Sequence, residues 1–159
     1  MNIDGGRINQ QAEDIEVKIF RADGNIEVQH AKNLFVNEGM NYLAALQSTT
    51  VTSVMNYFIV GTISTAATLT DVNTTMGEVK RNIMATRTSN GNILTEVGTF
   101  AGGLDAITSL RIREIGVTND ARSGGFGSLR SRSGGAQVDF TLAASDFVQI
   151  SYATTCGSR

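Results

Sequence analysis

Apolar positions in this chain recur mostly at every second residue, the period of a strand with one buried face. Ile15, Val17 and Ile19 alternate with Glu16 and Lys18, Ala22-Asp23-Gly24-Asn25 supplies a turn, and Ile26 and Val28 begin a return strand. His30 continues that phase and is expected at the end of an inward face. The period then changes. Asn37 has the character of a helix N-cap, with Glu38 near the positive end of the helix. Gly39, Tyr42, Leu43 and Leu46 fall at i, i+3, i+4 and i+7, which predicts a short α-helix near residues 37–47 lying over one end of a sheet. Tyr57-Phe58-Ile59-Val60 is a continuous apolar run suited to a central strand, and Ser64–Thr75 has no pattern and reads as a surface loop.

The stretch from Gly77 to Val117 organises the expectation for the rest. Lys80–Ser89 and Asn92–Phe100 are rich in Thr, Ile, Leu and Val and flank Asn90-Gly91, a strong hairpin signal because both turn residues accept φ > 0. A third run, Ile107–Val117, follows Gly102-Gly103. Without room for crossover helices, these runs must be antiparallel, and they predict a three-stranded meander to which the other strands are added. Ser123–Gly135 is Gly/Ser-rich around Leu129 and predicts a short exposed strand between flexible joints. Val138, Phe140 and Leu142 alternate, as do Val148, Ile150 and Tyr152. The pattern as a whole predicts an all-β chain, an antiparallel β-sandwich of jelly-roll type with one short helix. Residues 15–156 form its single domain, residues 1–14 an extended polar arm ordered by contacts outside the domain, and residues 157–159 a tail.

The phase breaks at one place. In Leu110–Val117 the apolar positions are Leu110 and Ile112, then Ile115 and Val117, with a slip at Arg113-Glu114. Either a β-bulge resets the phase or Glu114 turns inward and is paired, because an unpaired buried carboxylate is costly. An inward Glu114 needs a guanidinium, and Arg81 and Arg130 are the candidates.

Composition narrows the chemistry. The formal charge of −2 gives no global footprint for nucleic acid or an anionic membrane. Gly125-Phe126-Gly127 begins like a dinucleotide loop, but Arg130 stands where the third glycine belongs and no helix is expected to follow. Arg122, Arg130 and Arg132 in a Gly/Ser stretch resemble a single-strand binder, yet Phe126 is the only aromatic there to stack on bases. With no Trp and three Tyr, an aromatic sugar-binding platform is poorly supplied. His30 is the only histidine and Cys156 the only cysteine, and neither has a local catalytic or ligating pattern, so no catalytic residue, cofactor or metal is expected. No apolar run is long enough to span a bilayer and Met1-Asn2-Ile3-Asp4 does not open a signal peptide, so synthesis in a cytoplasm is expected.

Several short motifs occur in a telling order. They are Asn33-Leu34-Phe35-Val36-Asn37-Glu38-Gly39-Met40-Asn41-Tyr42-Leu43, then Ile59-Val60-Gly61-Thr62 with a Thr/Ala loop, Met76-Gly77-Glu78-Val79-Lys80-Arg81, Arg113-Glu114-Ile115-Gly116-Val117, and Leu129-Arg130. Over about residues 33–154 this succession resembles tailed-bacteriophage virion structural proteins. Val117-Thr118 stands where that group has Leu-Phe, and Gly61-Thr62 lacks its second glycine. The resemblance implies a non-enzymatic β-sandwich, often trimeric, located in the virion. The reading is a head decoration (cement) protein that binds the major capsid protein and copies of itself, with no nucleic acid or membrane as partner. A tail, neck or baseplate component is the alternative, and a carbohydrate-binding module a more distant one.

Overall fold

The computed structural model describes residues 13–47, 54–124, 127–135 and 137–155. The predicted arm therefore lies outside the described residues except for Glu13 and Asp14, and so does Cys156. Nine strands form one curled antiparallel sheet: β1 (Glu13–Phe20), β2 (Ile26–Phe35), β3 (Tyr57–Gly61), β4 (Glu78–Ile83), β5 (Thr86–Asn90), β6 (Ile93–Ala101), β7 (Glu114–Thr118), β8 (Leu129–Ser133) and β9 (Phe147–Thr155). The one α-helix among the described residues, α1, spans Asn37–Gln47. The all-β fold class and the one short helix are as the periodicity predicts.

Strand order is β4-β3-β7-β8-β2-β1-β9-β6-β5. β2 turns the corner: it pairs with β1 from Ile26 to Asn33, whereas only Leu34 and Phe35 pair with β8. The sheet thereby curls until its two halves face each other. Phe58 of β3 meets Tyr152 of β9 with ring centroids 4.9 Å apart. Val60, Ile115 and Val117 from one half share a core with Ile15, Val17, Ile19, Phe100, Val148 and Ile150 from the other. Burying each such side chain contributes roughly 1.5–3 kcal/mol.

The predicted meander is not formed. β4 and β7 flank β3 in one half, while the β5–β6 hairpin sits in the other half beside β9. The chain crosses between halves within Met84-Ala85, so sequence adjacency here does not mean pairing. The hairpin turn is Gly91-Asn92, one residue later than the Asn90-Gly91 signal; Gly91 has φ 59 and Asn92 has no positive φ, the pattern of a II′ turn. Residues 107–113 are irregular, held by isolated bridges Thr108–Leu142 and Ile112–Phe140. Val138, Phe140 and Leu142 are buried as their alternation suggests, but from a loop rather than a strand.

Three other expectations change. Opposite residues of β1 and β2 share a face, and Ile15, Val17 and Ile19 point into the core, so Ile26, Val28 and His30 lie on the outer face and are exposed. β8 is not an exposed strand: all five of its residues are buried. α1 lies against it, so closely that a Cβ on Gly39 would come 2.2 Å from the Arg130 carbonyl oxygen. The helix starts at Asn37, and the Val36 carbonyl accepts its first bond from the Met40 N–H, which shifts the cap by one residue.

Gly98 reports on the closure of the two halves. A Cβ there would lie 2.5 Å from a ring carbon of Phe58, across the core. Gly98→Ala is expected to destabilise by about 1–3 kcal/mol through overpacking, measured by denaturant unfolding. A cost near zero means that the halves do not meet at this point.

Candidate functional site

β8 carries two arginines, and a bulge sends them to opposite sides of the sheet. Thr118 pairs with Leu129 and Val117 with Ser131, so Arg130 is the extra residue. It turns to the inner core with Ser131, while Arg132, opposite Gly116, faces outward with Glu114 on β7. Neither reaches water: Arg130 is 5% and Arg132 1% exposed. A guanidinium so placed must be met by carboxylates.

On the inner side the carboxylates are Glu13 of β1 and Glu96 of β6. Arg130 Nη2 lies 2.9 Å from Glu13 Oε1 and also contacts Glu96 Oε2. Glu96 Oε1 takes a second guanidinium, Arg87 Nη2 at 2.6 Å, so the cluster balances two cations against two anions. Glu13 also accepts from the Ser131 hydroxyl and from the Thr154 hydroxyl at 2.8 Å. Burial works against the charge on Arg130, but Glu13 and Glu96 overcome it and hold the guanidinium protonated more firmly than usual. Tyr152 closes this site. Its ring is fully buried, and burial, reinforced by the Glu13 charge, pushes its phenol well above the ordinary value of 10.0. The Asn33 side chain opposes this shift, yet the hydroxyl makes no hydrogen bond of normal geometry among the described residues, and neither do Arg130 Nε and Asn33 Oδ1.

On the outer side Arg132 sits between two carboxylates. Its Nε donates to Glu114 Oε2 at 2.9 Å and its Nη1 to Asp71 Oδ2 at 2.7 Å, while Nη2 reaches the Thr65 hydroxyl at 3.1 Å. Backbone donors offset the surplus negative charge. Glu114 Oε1 accepts from the Gly77 N–H at 2.6 Å and the Ile63 N–H at 3.2 Å. Burial disfavours ionised Asp71, but the Thr68 N–H, the Thr68 hydroxyl and Arg132 outweigh it and hold the carboxyl below the ordinary carboxylate value. Residues 62–77 are thus a strap fixed across the outer face rather than a free surface loop, with Asp71, Asn73 and Met76 as its buried side chains. Gly61 makes room, since a Cβ there would come 2.3 Å from Glu114 Oε1.

Glu114 is therefore buried and paired, but with neither sequence candidate. Arg81 binds Glu78 through two bonds of 2.6 and 2.7 Å and donates to the Asp120 carbonyl, and Arg130 belongs to the inner cluster. The phase slip arises because Glu114 starts β7 after an irregular segment, and both faces of β7 are covered. The sequence reading saw Arg132 only as part of a Gly/Ser/Arg stretch, and it missed the roles of Arg132, Glu13, Glu96 and Asp71 in these clusters. A signal existed for two of them: extending the Ile15-Val17-Ile19 phase back one step lands on Glu13, and the Gly98-Phe100 phase back one step lands on Glu96.

His30 stands exposed opposite Glu16, beside an open groove of about 300 Å³ lined by Asp14, Ile15, Ala31, Lys32 and Gln137. Among the described residues no group of three His, Cys, Asp or Glu is placed to hold a metal, and no helix is long and apolar enough to cross a membrane. The buried ion pairs tie strands together, and that is the chemistry this arrangement performs. Compared with known protein families, curated proteins and solved structures, the chain matches none of them.

Two substitutions probe the clusters. Glu114→Ala strips Arg132 of one carboxylate and leaves the Gly77 and Ile63 N–H groups unmet, so it is expected to cost about 3–5 kcal/mol in denaturant melts; a cost under about 0.5 kcal/mol contradicts the buried pairing. Tyr152→Phe removes a hydroxyl that satisfies nothing and should leave neutral-pH stability unchanged or raise it by about 1 kcal/mol. Because the folded phenol pKa lies above the unfolded one, its contribution is complete below about pH 10 and fades as pH rises through the folded value. The Phe variant should flatten that alkaline limb.

Proposed function

We propose that this chain is a structural protein of a tailed-bacteriophage virion, a head decoration protein that binds the assembled major capsid protein and associates with copies of itself as a trimer. One observation carries the reading: the short motifs that resemble this group, scattered along the sequence, converge into one buried unit. Asn33–Leu43 runs from the end of β2 into α1, and the Glu38 carboxylate accepts the Leu129 N–H at 2.7 Å. The Val36 N–H donates to the Arg130 carbonyl. Gly61 and Gly77 pack around Glu114, and Glu78 and Arg81 pair at the start of β4. The resembling residues lie together in the β4-β3-β7-β8-β2 half, which supports the reading.

The ionic pinning of both faces also suits a protein whose work is to hold a fixed shape against a partner. The same sandwich and motifs serve a tail, neck or baseplate component, and copy number separates the two. In virions purified from the phage that encodes this chain, quantitative mass spectrometry is expected to find it at a copy number comparable with that of the capsid subunits. A handful of copies per particle moves it to the tail, and absence from particles overturns the reading.

A further inference from the structure

Among the described residues the curled sheet ends in two edge strands, β4 and β5, and they are built differently. β4 has a register shift opposite Val60/Gly61, carries Lys80, and spends Glu78 and Arg81 on an ion pair. Asn82 Nδ2 also reaches across to the Thr99 carbonyl at 3.0 Å. A bulge and a lysine are means by which an edge resists adding another strand. β5 has none of them. Among the described residues it pairs with β6 alone, in unbroken register from Thr86–Val97 to Asn90–Ile93, and all five of its residues are exposed. Its sequence, Thr86-Arg87-Thr88-Ser89-Asn90, holds no lysine or proline, and its one charge is turned away, with Arg87 bonded to Glu96 and to Asn56 Oδ1.

The turn settles which backbone groups are open. A two-residue turn follows Asn90, so Asn90 and Ile93 form a hydrogen-bonded pair, and bonded pairs recur at alternate residues. Thr88 and Thr86 therefore bond inward to β6. The N–H and C=O groups of Arg87 and Ser89 point away from the sheet, an unfilled ladder that only an extended strand completes.

We propose that a second copy of this chain fills it, with β5 pairing antiparallel to β5 about a two-fold axis through Thr88. The segment is self-complementary in that register. Thr88 faces its own counterpart, Thr86 faces Asn90 and Arg87 faces Ser89. Each Arg87 N–H donates to the other copy's Ser89 carbonyl, and each Ser89 N–H to the other's Arg87 carbonyl. No like charges meet, because the guanidinium stays with Glu96. The contact is isologous and closes as a pair; within trimers it joins one trimer to the next. It stands on the strand geometry and does not depend on the virion reading.

The full chain carrying Cys156→Ser tests it. Thr88→Cys in that background places two thiols at a non-hydrogen-bonded antiparallel pair, with Cα atoms about 4.5 Å apart, inside the disulfide range of roughly 4.4–6.8 Å. Mild oxidation should convert most of the protein to a disulfide-linked dimer on non-reducing gels, while Ser64→Cys, at an exposed residue of the strap, should not. Equal yields from the two overturn the proposal. Ser89→Pro removes only the outward N–H, and Thr88→Lys sets like charges across the axis; both should abolish the concentration-dependent mass increase seen by light scattering, with unchanged melting temperature. Association that survives Thr88→Lys overturns the pairing even if Ser89→Pro fails to fold.

Discussion

Two guanidinium groups buried on one interior strand are the constraint from which most of this structure follows. β8 offers Leu129 as its only large apolar side chain, yet all five of its residues are buried. A strand of that composition enters a core only if its cations bring carboxylates with them, since an uncompensated buried charge costs several kcal/mol. Arg130 draws in Glu13 and Glu96, and Arg132 draws in Glu114 and Asp71. Those four carboxylates come from β1, β6, β7 and the 62–77 strap. The pairing demands of one strand thus specify which distant segments must be adjacent.

The bulge at Arg130 allows one strand to serve both sides. In regular register Arg130 and Arg132 project from the same face, and both would compete for the same carboxylates. The extra residue turns Arg130 into the sandwich and leaves Arg132 under the strap. Apolar packing supplies most of the stabilisation and is tolerant of register, whereas each carboxylate–guanidinium contact is satisfied in one arrangement only. The ion pairs act here to select among alternatives that the core alone would accept.

How far the sequence discloses this depends on whether a feature is local. β1 and β9 are legible because their burial alternates within each segment, β3 because its apolar run is continuous, and α1 because its apolar positions recur at helical spacing in the sequence. The turns at Gly24 and Gly91 are legible because their residues accept the backbone they need. The meander failed because Met84-Ala85 carries the chain from one edge of the sheet to the other, and nothing in the hairpin-like runs records which strand lies beside which. β2 was given the wrong face at Ile26 and Val28, two exposed apolar residues that copy the pattern of a buried stripe. Glu114 was legible as a break in phase, but its partner was not: Arg81, Arg130 and Arg132 look alike in sequence, and only the bulge and the strap decide among them. β8 was expected as a strand but on the surface, since a Ser-Arg-Ser strand flanked by glycines reads as exposed unless its carboxylates are known.

The contact that reaches furthest is Arg130 with Glu96, which joins β8 in one half to β6 in the other. A double-mutant cycle on Arg130→Met and Glu96→Gln tests the account most directly. Denaturant unfolding should give a coupling energy of about 1.5–3 kcal/mol, within the range for residues sharing one ionic network. Additivity within about 0.3–0.5 kcal/mol would contradict the claim that the charges on β8 hold the two halves together.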